Sequence, residues 1–402
     1  MTPRPLAAAL TLLLAAALSA CTSAPPVPTS PSAPAAPADG VPRLAVEEVV
    51  GGLEHGWDVG FLPDGRALVT QRPGRITLVS GLRAGATASD VRADLGDLFV
   101  RSEGGLMGLV VHPDFATSRA FTTCQTHAEG GQPVDVRLVT WRLADDGASA
   151  TRTRDLLTGL PISTGRHSGC RPTLMPDGSL VVGTGDTAQG SLPQDLTSLG
   201  GKTLRLDLRT GAPWPTNPYA AAADPRQRYV TSSGHRNIQG VAVRAGADGA
   251  AEVWTAEHGP SQDDEVNRIR PGGNYGWDPS QGGTVGGYDE SVPMTDTARF
   301  PDAVPAVWTT GATTQAVCGL AFLTGPQWGP YDGALAVTAL KGAKLVLLRL
   351  TADGALQDVT VPSETDGPYG RLRAARTGPD GALYVTTSNG EGDRLLRVAP
   401  VG

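Results

Sequence analysis

The chain has 402 residues, with 33 lysines and arginines against 40 aspartates and glutamates, and a formal net charge of -7. So acidic a chain has no basic field to offer a phosphate backbone, which excludes a DNA or RNA partner. Its 52 glycines and 33 prolines, with no long helical periodicity, argue for strands and turns rather than helices.

The first residues read as an export leader. Arg4 gives a positive start, and the apolar run from Leu6 to Leu18 suits a signal peptide but is short for a membrane span. It closes on Leu18-Ser19-Ala20-Cys21, the residue order that bacterial lipoprotein processing uses. Residues 1–20 are therefore expected to be removed, leaving Cys21 as a lipidated N-terminus on the extracytoplasmic side of a bacterial membrane, with the lipid as the sole membrane contact. An ordinary leader cut at an Ala-x-Ala site, with an incidental cysteine, is the alternative. Residues 21–41, rich in Pro, Ala, Ser and Thr, read as a tether with nothing large to bury. The folded domain is expected over 42–402.

Within that domain one pattern recurs: an apolar run, a turn containing Asp and usually Gly, and a second apolar run. Copies lie at Val59 to Thr70, Leu109 to Phe115, Leu174 to Gly183, Val241 to Gly249, Tyr331 to Val337 and Thr377 to Thr386. In Pro63-Asp64-Gly65, Pro176-Asp177-Gly178 and Pro379-Asp380-Gly381, proline fixes one φ and glycine accepts a positive one, as a hairpin turn requires. The copies predict an all-β, six-bladed β-propeller of four-stranded antiparallel blades. Their spacing, roughly 50 to 85 residues, exceeds a bare blade, so several blades must carry insertions, which usually collect on the binding face. The segment from Leu44 to Val50 is expected to close the ring as an outer strand beside Leu395 to Val398, since a closed ring has no exposed sheet edge.

In a propeller, loops that enter innermost strands and loops that leave second strands gather on one face. Three polar stretches enter: Arg166 to Arg171, Gly234 to Asn237 and Thr313 to Gly319. His167 stands among polar residues, which predicts a solvent-reachable imidazole suited to a general base; a bland loop histidine is the alternative. Arg236 and Asn237 offer a charged planar donor and an amide, a pair suited to an oxyanion or quinone oxygen. Glu257 to Glu265 combines carboxylates with Gly259 and Pro260 carbonyls, a donor set suited to a hard cation such as Ca2+, or simply a solvated acidic loop. Lys341, Arg371 and Arg373 gather positive charge that could hold a polycarboxylate.

Taken in order, these segments resemble the pyrroloquinoline quinone (PQQ)-dependent soluble aldose sugar dehydrogenases, the glucose/sorbosone dehydrogenase family. The likeness runs from about Gly52 to the C-terminus. It is carried by Glu103 to Gly108, His112 to Phe115, the His167 loop, Gly234 to Gly240, Glu257 to Pro260, Asp264-Glu265, Asn274 to Trp277, Ala316 to Gly319, Ala339-Leu340-Lys341 and Gly370 to Arg373. It implies oxidation of an aldose or related alcohol to the lactone, with His167 taking the hydroxyl proton as hydride passes to the quinone, and an external electron acceptor. Arg236, with Asn237 beside it, would polarise the quinone carbonyl. Gly259 and Pro260 would ligate Ca2+, and Asp264, Glu265 and Tyr275 would organise this or a neighbouring calcium. Glu103, Tyr288, Thr314, Ala339, Leu340, Lys341, Arg371, Leu372 and Arg373 would form the cofactor's walls and carboxylate anchors. Arg166, Cys170 and Cys318 depart from the family's pattern beside the site, and His258 replaces a glutamine of the best-known glucose enzymes while agreeing with the broader aldose-dehydrogenase branch, so glucose specificity is not implied. A non-redox propeller of the same shape, a calcium-dependent lactonase or carbohydrate-binding module, is the alternative; it would not need the cationic anchor.

Besides Cys21, three cysteines remain. Cys124 belongs to the second strand of copy two and Cys170 to the start of copy three, on the same face of neighbouring blades. This placement predicts a Cys124–Cys170 bridge and a free Cys318, with a Cys170–Cys318 bridge across the cofactor face as the rival.

Overall fold

The computed structural model describes residues 41–401, and the leader, Cys21 and the tether up to residue 40 lie outside them. Six antiparallel sheets follow one another around a ring. Blade 1 runs Gly56–Phe61, Ala67–Gln71, Arg75–Val79 and Ala88–Val91 from axis to rim. Blade 2 follows with Leu106–Val111, Ala120–Glu129, Gln132–Leu143 and Ala150–Leu160. The innermost strands of blades 3 to 6 are Gly169–Leu174, Ile238–Ala245, Val317–Phe322 and Leu372–Thr377, each followed by a hairpin to its second strand.

The predicted turns fall between first and second strands, and the expected closure is present. Leu44–Glu54 pairs antiparallel with Glu391–Pro400, so the chain's beginning completes blade 6. One addition was not foreseen: Gly273–Asn274 pairs in parallel with Val230–Ser233 as a short fifth strand of blade 3, tying the long excursion after blade 4's third strand to its neighbour.

Each innermost strand carries a register shift near its start, between Gly56 and Asp58, Leu106 and Leu109, Gly169 and Arg171, Ile238 and Gly240, Val317 and Leu320, and Leu372 and Ala375. Such bulges bend a strand and re-aim side chains, and here they recur at one level of the ring, where the chain enters from the loop face. At the same level the strands of neighbouring blades close tightly. A Cβ on Gly240 would lie 2.2 Å from the Cys318 carbonyl oxygen, and one on Gly319 would lie 2.2 Å from the Ala375 nitrogen. Only glycine permits that approach.

Between blades the filling is apolar, as in the cluster of Leu62, Leu68, Phe115, Phe121, Val139 and Trp141. At the axis it is ionic. Asp58 of blade 1 is fully buried and forms ion pairs of 2.8 Å with both Arg171 of blade 3 and Arg376 of blade 6. Its Oδ2 also accepts the Leu109 N–H of blade 2, and Arg171 Nε donates to the Gln239 carbonyl of blade 4. Arg171 lies 4.0 Å over the Trp57 ring. One carboxylate thus stitches together strands from most of the ring. The cysteines resolve as expected: Cys124 and Cys170 are bridged with Cα atoms 6.0 Å apart, and Cys318 is free and buried.

Burial opposes the Asp58 charge, but Arg171 and Arg376 outweigh it and hold the carboxyl below the usual aspartate range. A carboxyl so depressed in the folded state contributes stability that is present above its unfolded pKa and lost as pH falls through the folded value. Asp58→Asn should therefore cost about 3–5 kcal/mol, because it leaves two guanidiniums without their anion. Chemical denaturation at neutral pH should show that loss, and the variant's stability should decline less steeply on acidification than the wild type's.

Candidate active site

The loop face carries two chemically different halves. The first is built on blades 2, 3 and 4. His167 immediately precedes the innermost strand of blade 3 in left-handed conformation, with φ of 48°. Contrary to the reading of an open loop histidine, it is buried, with 3% of its surface exposed. Neighbouring loops fold over it because its ring is held: Nδ1 lies 2.8 Å from Asp186 Oδ1. Asp186 leaves the second strand of blade 3, and its carboxylate also accepts from the Ala188 N–H, the Trp277 indole and the Tyr288 hydroxyl. A carboxylate only accepts, so the proton of neutral His167 sits on Nδ1 and the Nε2 lone pair is left available.

Asp186 was not singled out from the sequence. It stands at the exit of a second strand, the topological position that drew attention to Lys341, and that parallel was the signal available. Tyr288, expected in a cofactor wall, comes from the excursion after Trp277 and bonds Asp186 at 2.6 Å while standing 3.3 Å from His167 Nδ1. Burial, followed by the Asp186 charge, drives its phenol pKa strongly upward, so it remains a proton donor. Two residues on, Glu290 accepts from both Arg166 at 2.6 Å and Arg236 at 2.5 Å.

Arg236 and Asn237 precede the innermost strand of blade 4. The Arg236 backbone N–H donates to Glu257, and its Nη1 donates to the His258 carbonyl. Asn237 donates to Glu103 at 2.9 Å and accepts from the Gly169 N–H. Gln239, also unforeseen, donates to Glu103 and Asn237 and accepts from Arg373, linking the two halves through the floor. Glu103 is half-buried; burial opposes its charge, but His167, His258, the Asn237 amide and Arg373 together hold its carboxyl below the usual range.

The residues read as metal-binding divide into two groups. The Asp264 carboxylate accepts the Gly259 N–H, the Thr314 hydroxyl and the Gln315 N–H, so it shapes the turn that presents the Gly259 and Pro260 carbonyls, and Thr314 works with it. Glu265 lies deeper, opposite Glu257 across the blade 4 ladder. Burial and the Glu257 charge push Glu265 up to about 8. Asn267 donates to both carboxylates, and its own Oδ1 is buried without a partner. Two facing carboxylates and an unused amide oxygen suit a hard divalent cation, which would relieve their repulsion. Tyr275 stacks on His235 at 4.5 Å, and its hydroxyl donates to the Arg268 carbonyl, so that hydroxyl is committed to backbone.

The other half lies on blades 5, 6 and 1. Ala339, Leu340 and Leu372 are buried in the core, so they can offer a ligand only backbone groups; the Leu340 and Lys341 N–H groups already bond Ala316 and Gln315 carbonyls. Lys341 and Arg371 are exposed at the mouth and Arg373 is buried below them. Arg371 and Arg373 both reach Ser388. Among the described residues, no carboxylate lies within ion-pairing distance of Lys341, Arg371 or Arg373. Opposite them, the His258 Nε2 and Arg236 Nε are buried without hydrogen-bond partners. Gathered cations without counter-ions on one side, and unpartnered donors and acceptors on the other, fit a planar polycarboxylate that also carries oxygens at its far end.

Known proteins of similar sequence and structure cover most of the chain. The model of the family described as Glucose / Sorbosone dehydrogenase matches residues 53–397. The aldose sugar dehydrogenase YliI of Escherichia coli K12 is 30% identical over 358 residues, covering 88% of this chain and 92% of that protein. Among solved structures, the apo form of soluble aldose sugar dehydrogenase from Escherichia coli aligns with a TM-score of 0.73 and 30% identity, over 89% of this chain and all of that one. The PQQ-bound aldose sugar dehydrogenase from Streptomyces coelicolor aligns with a TM-score of 0.69 and 28% identity, over 89% and 100% of the two chains.

Glu290 ties the excursion carrying Tyr288 to blades 3 and 4. Burial works against its charge, but the Arg236 hydrogen bond and charge, with Arg166, hold its carboxyl below the usual range. Glu290→Gln should make residues 279–306 more susceptible to limited proteolysis, while the thermal midpoint moves by no more than about 2 °C, because partly exposed pairs contribute little to global stability.

Proposed function

The chain belongs to the Glucose / Sorbosone dehydrogenase family, and from that premise we propose that it oxidises an aldose sugar, or a related alcohol, to the lactone with PQQ and Ca2+. The observation that carries this reading is the pairing of a buried His167–Asp186 couple with a cluster of cations that lacks counter-ions. When bound, PQQ supplies a two-electron acceptor for the hydride leaving the carbinol carbon. Everything else falls to the protein.

His167 is the general base. Asp186 holds the imidazole through Nδ1, so the proton of the sugar hydroxyl passes to Nε2, and the Asp186 carboxylate stabilises the imidazolium that forms. Tyr288 and Trp277 fix Asp186 by donating to its other oxygen. Arg236 is oriented by Glu257 and the His258 carbonyl and carries positive charge to where a quinone oxygen would gain electron density. The Gly259 and Pro260 carbonyls, presented by the Asp264-braced turn, are the donors assigned to Ca2+ beside the cofactor. Glu265, with Glu257 and Asn267, forms the neighbouring cation position. Lys341, Arg371 and Arg373 neutralise the cofactor's carboxylates. That cationic cluster argues against a lactonase or a carbohydrate-binding module, neither of which needs it.

The reduced cofactor must then pass electrons to an external acceptor. We place the protein outside the cytoplasm, anchored through Cys21; the Cys124–Cys170 bridge supports an oxidising compartment.

Purified protein should oxidise aldoses only after addition of both PQQ and Ca2+, and a chelator should abolish turnover. Undiminished activity without PQQ, followed with an artificial electron acceptor, would refute the reading. His167→Ala should lower kcat by at least about a hundredfold while PQQ still binds, and Asp186→Asn should lower kcat by roughly tenfold or more. Loss of cofactor binding in His167→Ala would reassign that residue to the cofactor.

A further inference from the structure

We propose that Arg72 is a fourth cationic anchor for the carboxylates of the bound quinone, a role that rests on the PQQ-dependent reading above. Neither the motif order nor the resemblance singled this residue out.

Arg72 is the first residue after the second strand of blade 1, Ala67–Gln71. Lys341 of blade 5 leaves its second strand, Leu335–Ala339, at nearly the same level. The backbone of Arg72 is pinned on both sides: its N–H donates to the His55 carbonyl at 3.1 Å, and its carbonyl accepts the Leu106 N–H at 3.0 Å. Blade 2 closes on it so tightly that a Cβ on Gly105 would lie 2.1 Å from the Arg72 oxygen. The side chain therefore rises from a fixed base.

A short path joins it to the known cations. Arg373 Nε donates to the Ser388 hydroxyl, which stands 3.4 Å from His55 Nδ1, and His55 holds the Arg72 N–H. Arg72 and Arg373 are thus members of one cluster spanning blades 1 and 6. Arg72 is half-buried, and its Nη1 donates to the Ser102 carbonyl at 2.6 Å. Among the described residues no carboxylate lies within ion-pairing distance of it. Burial and the Arg373 charge lower its pKa and outweigh the opposing pull of Glu54 and Glu103, neither of which pairs with it. Burial first and then the Arg72 charge, with Arg373, lower the His55 pKa against Asp393 and Glu54. Such an arrangement is costly in the empty protein and becomes favourable once a polyanion enters. Arg72 adds a cation from blade 1 to Lys341, Arg371 and Arg373, within electrostatic reach of both Arg373 and Glu103.

A bracing role for Arg72 at the Ser102 turn is the competing account, and PQQ titration separates the two. Wild type, Arg72→Gln and Arg72→Lys are titrated with PQQ by tryptophan fluorescence quenching at low and moderate salt. Arg83→Gln, which removes an equal charge from a rim arginine paired with Glu47, serves as the control. Arg72→Gln should bind PQQ roughly 10- to 100-fold more weakly, as expected for loss of a charge-assisted contact. Its affinity should also depend less steeply on salt. Arg72→Lys should recover most of the loss, Arg83→Gln should match the wild type, and apo Arg72→Gln should unfold no earlier than the wild type. Affinity and salt dependence unchanged in Arg72→Gln would overturn the inference and leave the functional reading standing. Weak binding accompanied by a lowered unfolding midpoint that lysine does not restore would also overturn it, in favour of the bracing role. Failure of the wild type to bind PQQ at all would instead sink the functional reading.

Discussion

A ring of six blades leaves an axis lined by innermost strands, and that space must be filled without stranding polar backbone. Here it is filled by a charge. Asp58 receives Arg171 from blade 3, Arg376 from blade 6 and a backbone N–H from blade 2, and all three strands meet over one buried carboxylate. Breaking such a buried pair costs far more than keeping it gains relative to an apolar plug, so its main consequence is geometric. It fixes which strands face one another across the axis. Arg171 then donates to the Gln239 carbonyl, and Gln239 carries the register upward to Glu103, Asn237 and Arg373. The floor of the site is thus an extension of the plug.

Above the plug, the six bulges govern where side chains point. Each innermost strand begins irregularly, and several residues at these entrances hold positive φ: His55, His167, Cys170 and Ala316. A regular ladder would alternate its side chains between the two faces of a blade. The irregular start instead turns His167, Arg236 and Arg371 toward the centre of the loop face before pairing takes hold. The Cys124–Cys170 bridge fastens one such entrance, just beyond His167, to the preceding blade.

The site itself divides by charge. Blades 2, 3 and 4 contribute Glu103, Asp186, Glu257 and Asp264, each largely satisfied by neighbouring donors. Blades 5, 6 and 1 contribute Lys341, Arg371, Arg373 and Arg72, which find no carboxylate among the described residues. The chain is acidic overall, so this local excess of cations is not a by-product of composition. On the function proposed above, it marks the end at which an anionic ligand is received, while the opposite end holds the base and the oxygen donors for a hard cation.

The sequence by itself determined the architecture, because its turns are local: proline and glycine set backbone angles wherever the chain happens to lie, and six Asp-containing turns between β-rich runs, three of them Pro-Asp-Gly, admit few folds. It also determined ring closure, and it pointed to the Cys124–Cys170 bridge while leaving a Cys170–Cys318 rival that only the structure decides. Burial and partnership belong to the tertiary structure alone. His167 looked open because its neighbours in sequence are polar, yet it is covered by Asp186, Trp277 and Tyr288, which lie 19, 110 and 121 positions away. The resemblance gave Asp264 and Tyr275 a part in organising calcium, and only the structure shows their side-chain partners: the Asp264 carboxylate accepts the Gly259 and Gln315 N–H groups, and the Tyr275 hydroxyl donates to the Arg268 carbonyl. Arg72 carried no signal of its own, for an arginine after a strand is ordinary. Only the curvature of the ring, which brings blade 1 beside blade 6, makes it part of a cluster, and no periodicity along the chain records that closure for a single side chain.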